Sequence, residues 1–183
     1  MQDLSLHILD IVENSIKAKA TLVQISITED IPHNKLIIVI KDNGSGISAE
    51  QPSMVLDPFY STKNSSRIGL GLPLLQQATQ EAGGDLKMQS DKHSGTTITA
   101  NFIRDHIDRK PLGNVGETLI ALIASKGEEM DFVYTHQIGD QIFEFDTREI
   151  KLQLENVTIN NPEIINYLKK VISDNLTKMN IGR

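Results

Sequence analysis

Two short runs, LVQISIT from Leu22 and KLIIVIK from Lys35, constrain the fold of this 183-residue chain more than any other feature. Both are apolar or alternating and rich in β-branched residues, and only the turn formers DIPHN separate them, so they read as an antiparallel pair of strands. Ahead of them, Leu4, Ile8, Ile11, Val12 and Ser15 recur at spacings of three and four, which predicts an amphipathic helix from Leu4 to about Lys19. Directly after them comes DNGSG from Asp42, which the two close glycines make a loop.

The pattern continues with a polar, irregular stretch from Ser53 to Arg67. A helix follows from Gly71 to about Ala82, with Pro73 in its first turn and Gly83-Gly84 ending it. Strands are expected at about Asp85–Ser90 and Thr96–Ile103, joined by the turn DKHSG. HIDRKPLGNVG then reads as a linker. Beyond it the sequence predicts a helix from Glu117 to Ser125 and a hairpin (Phe132–His136 and Gln141–Phe145) around Gly139-Asp140. A last helix is capped by Asn161, begins at Pro162 and runs to about Thr177. The expected organisation is a first domain over residues 1–104, a linker over 105–116 and a small C-terminal α/β appendage over 117–183, which is short for an independent fold.

Composition narrows the function. A net charge of −6 argues against a nucleic-acid surface, and aromatic residues at 4% with no Trp argue against base-stacking platforms. No apolar run approaches the roughly 20 residues of a membrane helix, and no signal-peptide pattern opens the chain. Cysteine is absent, which excludes disulfides and thiolate metal sites and fits a cytoplasmic protein.

Four segments carry chemistry, and each has an ordinary reading when taken alone. Asp10 and Asn14 share a face of the first helix, one turn apart. The Asn amide oxygen suits Mg²⁺ and the Asp suits a general base, yet both also suit a solvated helix edge. In DNGSG, Asp42 can accept from a donor such as the exocyclic amine of adenine, where guanine presents an oxygen. Gly44 and Gly46 permit close backbone approach; the same string is also an ordinary Asx turn. GLGLP, with Gly69 and Gly71, opens a helix whose free N–H groups favour phosphate, but it is neither a P-loop nor a Rossmann fingerprint. Lys63 and Arg67 precede it on a Ser/Asn-rich loop from which a cation can reach a terminal phosphate.

Together, D-x-x-x-N on a helix, two strands, D-x-G-x-G, a loop, G-x-G opening a helix and two further strands resemble the GHKL superfamily. This group of Bergerat-fold ATPases and kinases includes histidine kinases, Hsp90, gyrase B and MutL. ENSIKA from Glu13 is similar to the family's N box, DNGSGI to G1, DPFYSTK to the F box and lid, and GLGLPLL to G2; the likeness spans about residues 4–104. It implies an α+β fold, the Bergerat-type α/β sandwich, in which helices cover one face of a mixed sheet. It also implies ATP and Mg²⁺ as ligands. Asn14 holds the metal, Asp42 reads adenine, and Thr96 of SGTTITANF supports Asp42, most simply through water. Asp10 takes the base position, one methylene shorter than the Glu usual in hydrolysing and serine-kinase relatives.

The G2 sequence and short lid look most like the sensor histidine kinases, their anti-sigma-factor relatives and the mitochondrial-type dehydrogenase kinases. Histidine kinases carry their phosphoacceptor on a helical hairpin ahead of this domain. With three residues before the first helix, that hairpin is expected to be missing here, making this a stand-alone protein. His7 falls on the Asp10/Asn14 face and is expected to orient Asp10, while His33, His93, His106 and His136 are expected at the surface. The leading expectation is a signalling kinase acting in trans on a Ser or His of a protein partner. A slow ATPase used as a conformational switch and a non-catalytic ATP-binding regulatory module are the alternatives, with a homodimer possible in each case.

Overall fold

A computed structural model describes residues 2–46, 70–92 and 94–179. Among them the strands β1 (Leu22–Asp30), β2 (Lys35–Asp42), β3 (Asp85–Asp91), β4 (Gly95–Ile103), β5 (Asp131–Ile138) and β6 (Gln141–Asp146) form one sheet in the order β3-β4-β2-β1-β5-β6. All neighbouring pairs are antiparallel except β1 and β5, which run parallel with Leu22 opposite Asp131 and Glu29 opposite Ile138. The sheet is therefore mixed, as an α+β sandwich requires.

One face of the sheet is buried, and the other is mostly polar, with Ile37, Val39 and Val133 half-buried on it. Val23, Ile25 and Ile27 of β1 alternate with Gln24, Ser26 and Thr28, and the register carries the alternation into Leu36, Ile38 and Ile40 of β2 and into Phe132 and Tyr134 of β5. The helices α1 (Leu4–Lys17), α2 (Gly71–Glu81), α3 (Val115–Lys126) and α5 (Pro162–Lys178) supply Leu4, Ile8, Leu75, Leu119, Ile123 and Leu168 to the same core. Among the described residues no helix is long and apolar enough to cross a membrane.

Within the segment expected as an appendage, the described residues 117–179 add two strands to the free edge of β1 and helices to a shared core. The segment expected as a linker is tied down at its end: Leu4 and Ser5 donate backbone N–H groups to the carbonyls of Pro111 and Leu112, each at 2.9 Å. Its last residues belong to α3, where Asn114 Oδ1 caps the N–H of Glu117 at 3.0 Å.

Three local departures from the sequence reading have clear causes. The first helix ends two residues early because Lys19 adopts φ 57°, so that Lys19 and Ala20 donate to Ile16 and Ser15, the pairing of a Schellman stop. A short helix, α4 (Thr147–Gln153), follows β6 directly, capped by Asp146 accepting from Arg148 N at 2.9 Å. His136 is fully buried rather than on the surface: its Nδ1 meets the Tyr134 hydroxyl at 2.8 Å and its Nε2 lies 3.3 Å from Glu29 Oε1. The parallel pairing of β5 with β1 brings it there, because it places His136 opposite Ile27 on the covered face.

Candidate functional site

The site starts at Asp42, the last residue of β2, which is buried although ionisable. A buried carboxylate needs donors, and three elements supply them. Oδ1 accepts from the backbone N–H of Gly44 at 2.8 Å and of Thr96 at 3.3 Å, and Oδ2 accepts from the Ser15 hydroxyl at 2.8 Å. With about two lone pairs on each oxygen, the described residues saturate Oδ1 and leave Oδ2 one acceptor position. Thr96 reaches the carboxylate through its backbone, while its Oγ1 lies 2.9 Å from Ser90 Oγ.

The loop after Asp42 is held by its own sequence. Asn43 Oδ1 accepts from the N–H groups of Thr21 and Leu22 at 2.8 and 2.9 Å, and Ser45 donates to Ala18 O at 2.9 Å. A Cβ at Gly44 would lie 2.9 Å from the Ala18 methyl, and one at Gly46 (φ +65°) would lie 2.0 Å from the carbonyl oxygen of Asp91. The two glycines thus let the loop slot between the end of α1 and the β3–β4 turn. The close approach they permit in the structure is to protein atoms.

Beside this loop, α1 meets α2. Asp10 and Asn14 are half-buried, and the Asn14 side chain makes no hydrogen bond to another described residue. A Cβ on Gly71 would sit 3.1 Å from Asp10 Cβ and 3.4 Å from its Oδ2, so the first turn of α2 lies directly against the Asp10 carboxyl. Among the described residues no side chain caps that turn, so the N–H groups of Gly71 and Leu72 have no acceptor there, and Pro73 carries no N–H. Burial, then the nearby charge of Glu13, raises the Asp10 pKa above the ordinary carboxylate value. Asp10, Asn14 and Gly71 are thus brought together, and Asp42, Gly44, Gly46 and Thr96 form the adjoining cluster through Ser15. Lys63, Arg67 and Gly69 lie outside the described residues.

His7 does not orient Asp10. It is buried, neither ring nitrogen has a hydrogen-bond partner, and burial together with Lys110 lowers its pKa to about 4. Ser15 and Asn43 were not singled out by the sequence reading. The signal for Ser15 was its place in the apolar stripe of α1, since a hydroxyl at a core position needs a partner.

The chain is similar to known proteins. Over 92 residues, 49% of this chain, it is 36% identical to sporulation kinase C of Bacillus subtilis (strain 168). Over 96 residues, 50% of the chain, it is 33% identical to the signal transduction histidine-protein kinase ArlS of Staphylococcus aureus (strain USA300). Each match covers 21% of the relative, so the chain spans about a fifth of their length. The fold is similar to the Aquifex aeolicus MutL ATPase domain complexed with ADP, with a TM-score of 0.55 at 20% identity over 85% of this chain and 68% of that one. It is similar, too, to the N-terminal domain of a DNA repair protein, with a TM-score of 0.52 at 17% identity over 79% and 52% of the two chains. Residues 2–106 match the model of the histidine kinase-, DNA gyrase B- and HSP90-like ATPases, and the chain belongs to that family, carrying a GHKL ATP-binding domain.

Proposed function

We propose that this protein binds ATP with Mg²⁺ and transfers the terminal phosphoryl group to a Ser or His of a protein partner. The observation behind this reading is the contact of Asp10 with the first turn of α2: a carboxyl of raised pKa, one helical turn from Asn14, beside helix N–H groups that no described side chain caps.

The donor set fits the ligands. The spare acceptor position on Asp42 Oδ2 suits the adenine amine, because Ser15, Gly44 and Thr96 fix the carboxylate and occupy its other positions. The first turn of α2 suits phosphate oxygens through its N–H groups and helix dipole. Among the described residues no group of three or more His, Cys, Asp or Glu could hold a metal. The amide oxygen of Asn14 is a hard donor of the kind Mg²⁺ takes, and the rest of the Mg²⁺ shell is filled largely by phosphate and water. When bound, Mg²⁺ supplies neutralisation of phosphate charge. As a partner's hydroxyl bonds to the terminal phosphorus, Asp10 receives the hydroxyl proton and the bond to the departing ADP oxygen breaks; an imidazole would attack through its unprotonated nitrogen and release the proton of its other ring nitrogen. A carboxylate of raised pKa holds that proton better than an ordinary one.

Incubation with γ-labelled ATP, alone and with cell extract, tests the proposal. The expected result is label on a partner protein, lost in Asp10→Asn although that variant still binds ATP. Released phosphate with no labelled protein would instead support an ATP-driven conformational switch. Binding without either would leave a regulatory nucleotide module.

A further inference from the structure

At the opposite end of the strands from Asp42, about 20 Å away by strand rise, a cleft of about 540 Å³ opens between the ends of β1 and β4, the segment 109–116 and α5. Its lining holds three cations, Arg104, Arg109 and Lys169, and two carboxylates, Glu29 and Glu117. Two of the cations are matched. Arg104 Nε donates to Glu29 Oε2 at 2.9 Å, and Lys169 Nζ lies 2.8 Å from Glu117 Oε1. Glu29 is braced from within the core as well, by His136 and, through it, Tyr134.

Arg109 is different. Its Nε donates to the carbonyl of Arg104 and its Nη1 to that of Lys110 at 2.9 Å, and no carboxylate pairs with it among the described residues. It is half-buried, and burial lowers its pKa, with Arg104 adding to the shift and the nearby charges of Glu29 and Asp105 opposing it. The first turn of α3, at Val115 and Gly116, lines the same cleft, and the N–H groups there have no carbonyl within the helix to meet. The remaining wall is mixed: Leu36, Ile172 and Leu176, all buried, give it an apolar strip beside the polar Asn114, Ser173 and Thr177.

We propose that this cleft is a second ligand site, for a small organic monoanion: a carboxylate with an apolar body. The carboxylate sits on Arg109 and the first turn of α3, and the hydrocarbon lies against Leu36, Ile172 and Leu176. The charge balance selects a single negative charge, since the lining holds three cations to two carboxylates and Arg109 forms no ion pair with either. The apolar strip selects a hydrocarbon over a bare anion, and the volume falls within the range of about 300–1,000 Å³ that small ligands occupy.

The test titrates the full chain with hexanoate, benzoate, hexanamide and inorganic phosphate by calorimetry, following backbone amide shifts at Gly113 and Gly116. Hexanoate or benzoate should bind and shift those amides. Hexanamide and phosphate should each bind at least about tenfold more weakly, as loss of a charge-assisted hydrogen bond or of apolar burial implies. Arg109→Gln, and independently Ser173→Phe, which fills the cleft from α5 without touching the Arg109 contacts, should each weaken carboxylate binding by a similar factor and leave ATP affinity unchanged. Hexanamide or phosphate binding as tightly as the carboxylates would overturn the proposal. So would both folded variants binding as the wild type does, or no carboxylate binding up to millimolar concentrations.

Discussion

Asp42→Asn separates the two things Asp42 does. Its carboxylate accepts three internal hydrogen bonds, from Gly44, Thr96 and Ser15, and keeps one acceptor position on Oδ2. An Asn amide can accept at Oδ1 as before, and the Ser15 hydroxyl can turn to accept from Nδ2, so the cluster stays connected. Losing the charge on these bonds should cost about 1–2 kcal/mol of stability. In a chain of this size that is a fall of about 2–8 °C in Tm. At the ligand the change is harsher, because the free acceptor becomes an N–H donor facing the donor amine of adenine. Loss of one charge-assisted hydrogen bond is worth about 1.5–3 kcal/mol, or roughly 10- to 150-fold in affinity for ATP. A base carrying an oxygen in place of the amine should suffer less, so the ratio of ATP to inosine triphosphate affinity should fall at least tenfold. Calorimetric titration of both nucleotides against wild type and variant, with melting followed by circular dichroism, measures both effects. An Asp42→Asn protein that melts normally and keeps the wild-type ratio would refute the assignment of Asp42 to the adenine amine.

Three further outcomes follow from the geometry. Turnover of the labelled-ATP reaction should rise with pH through a limb above the ordinary Asp range, because Asp10 must be ionised to take a proton and its pKa is raised; a pH–rate profile flat across that range would remove Asp10 from the base role. His7 has a folded pKa of about 4 against an ordinary value near 6.5, so the folded state binds fewer protons between them. Its contribution is therefore complete above pH about 6.5 and is lost as pH falls toward 4, by on the order of 3 kcal/mol; urea unfolding of wild type and His7→Leu at several pH values should show this slope only in the wild type. Gly46→Ala should cost more than about 2 kcal/mol, combining left-handed backbone strain with a Cβ driven onto Asp91, whereas Gly139→Ala, with φ +55° and nothing within 4 Å, should cost only about 1 kcal/mol. Equal losses in thermal melts would show that backbone strain alone decides both positions.

The local elements were legible because their signals are local. Alternation in LVQISIT and KLIIVIK, the cap Asn161 with Pro162 and the Gly83-Gly84 stop each act over a few residues, and each element formed where its signal lay. The seven residues of α4 carry too short a stripe to register by periodicity, although Asp146 is a recognisable cap. What the local signals could not reach was partnership over distance. The hairpin of β5 and β6 reads as a hairpin wherever it sits. Its addition to β1 depends on an unpaired edge more than 100 positions earlier in the chain, and that docking decides the burial of His136. The site divides in the same way. Motif spacing brought Asp10, Asn14 and Asp42 into view, whereas the Ser15–Asp42 bond joins residues 27 positions apart, and nothing in either segment names the other.

The parallel pairing of β1 with β5 bears on how this protein can be dissected. A fragment cut at residue 106, where the family match stops, would lose β5 along with α3 and α5. β1 would become a long outer strand with a full row of unsatisfied N–H and C=O groups, and the core around Val23, Ile25 and Ile27 would be stripped of Phe132 and Tyr134. Such an edge templates aggregation, so the nucleotide-binding part, though delimited by its motifs, is not a portable module.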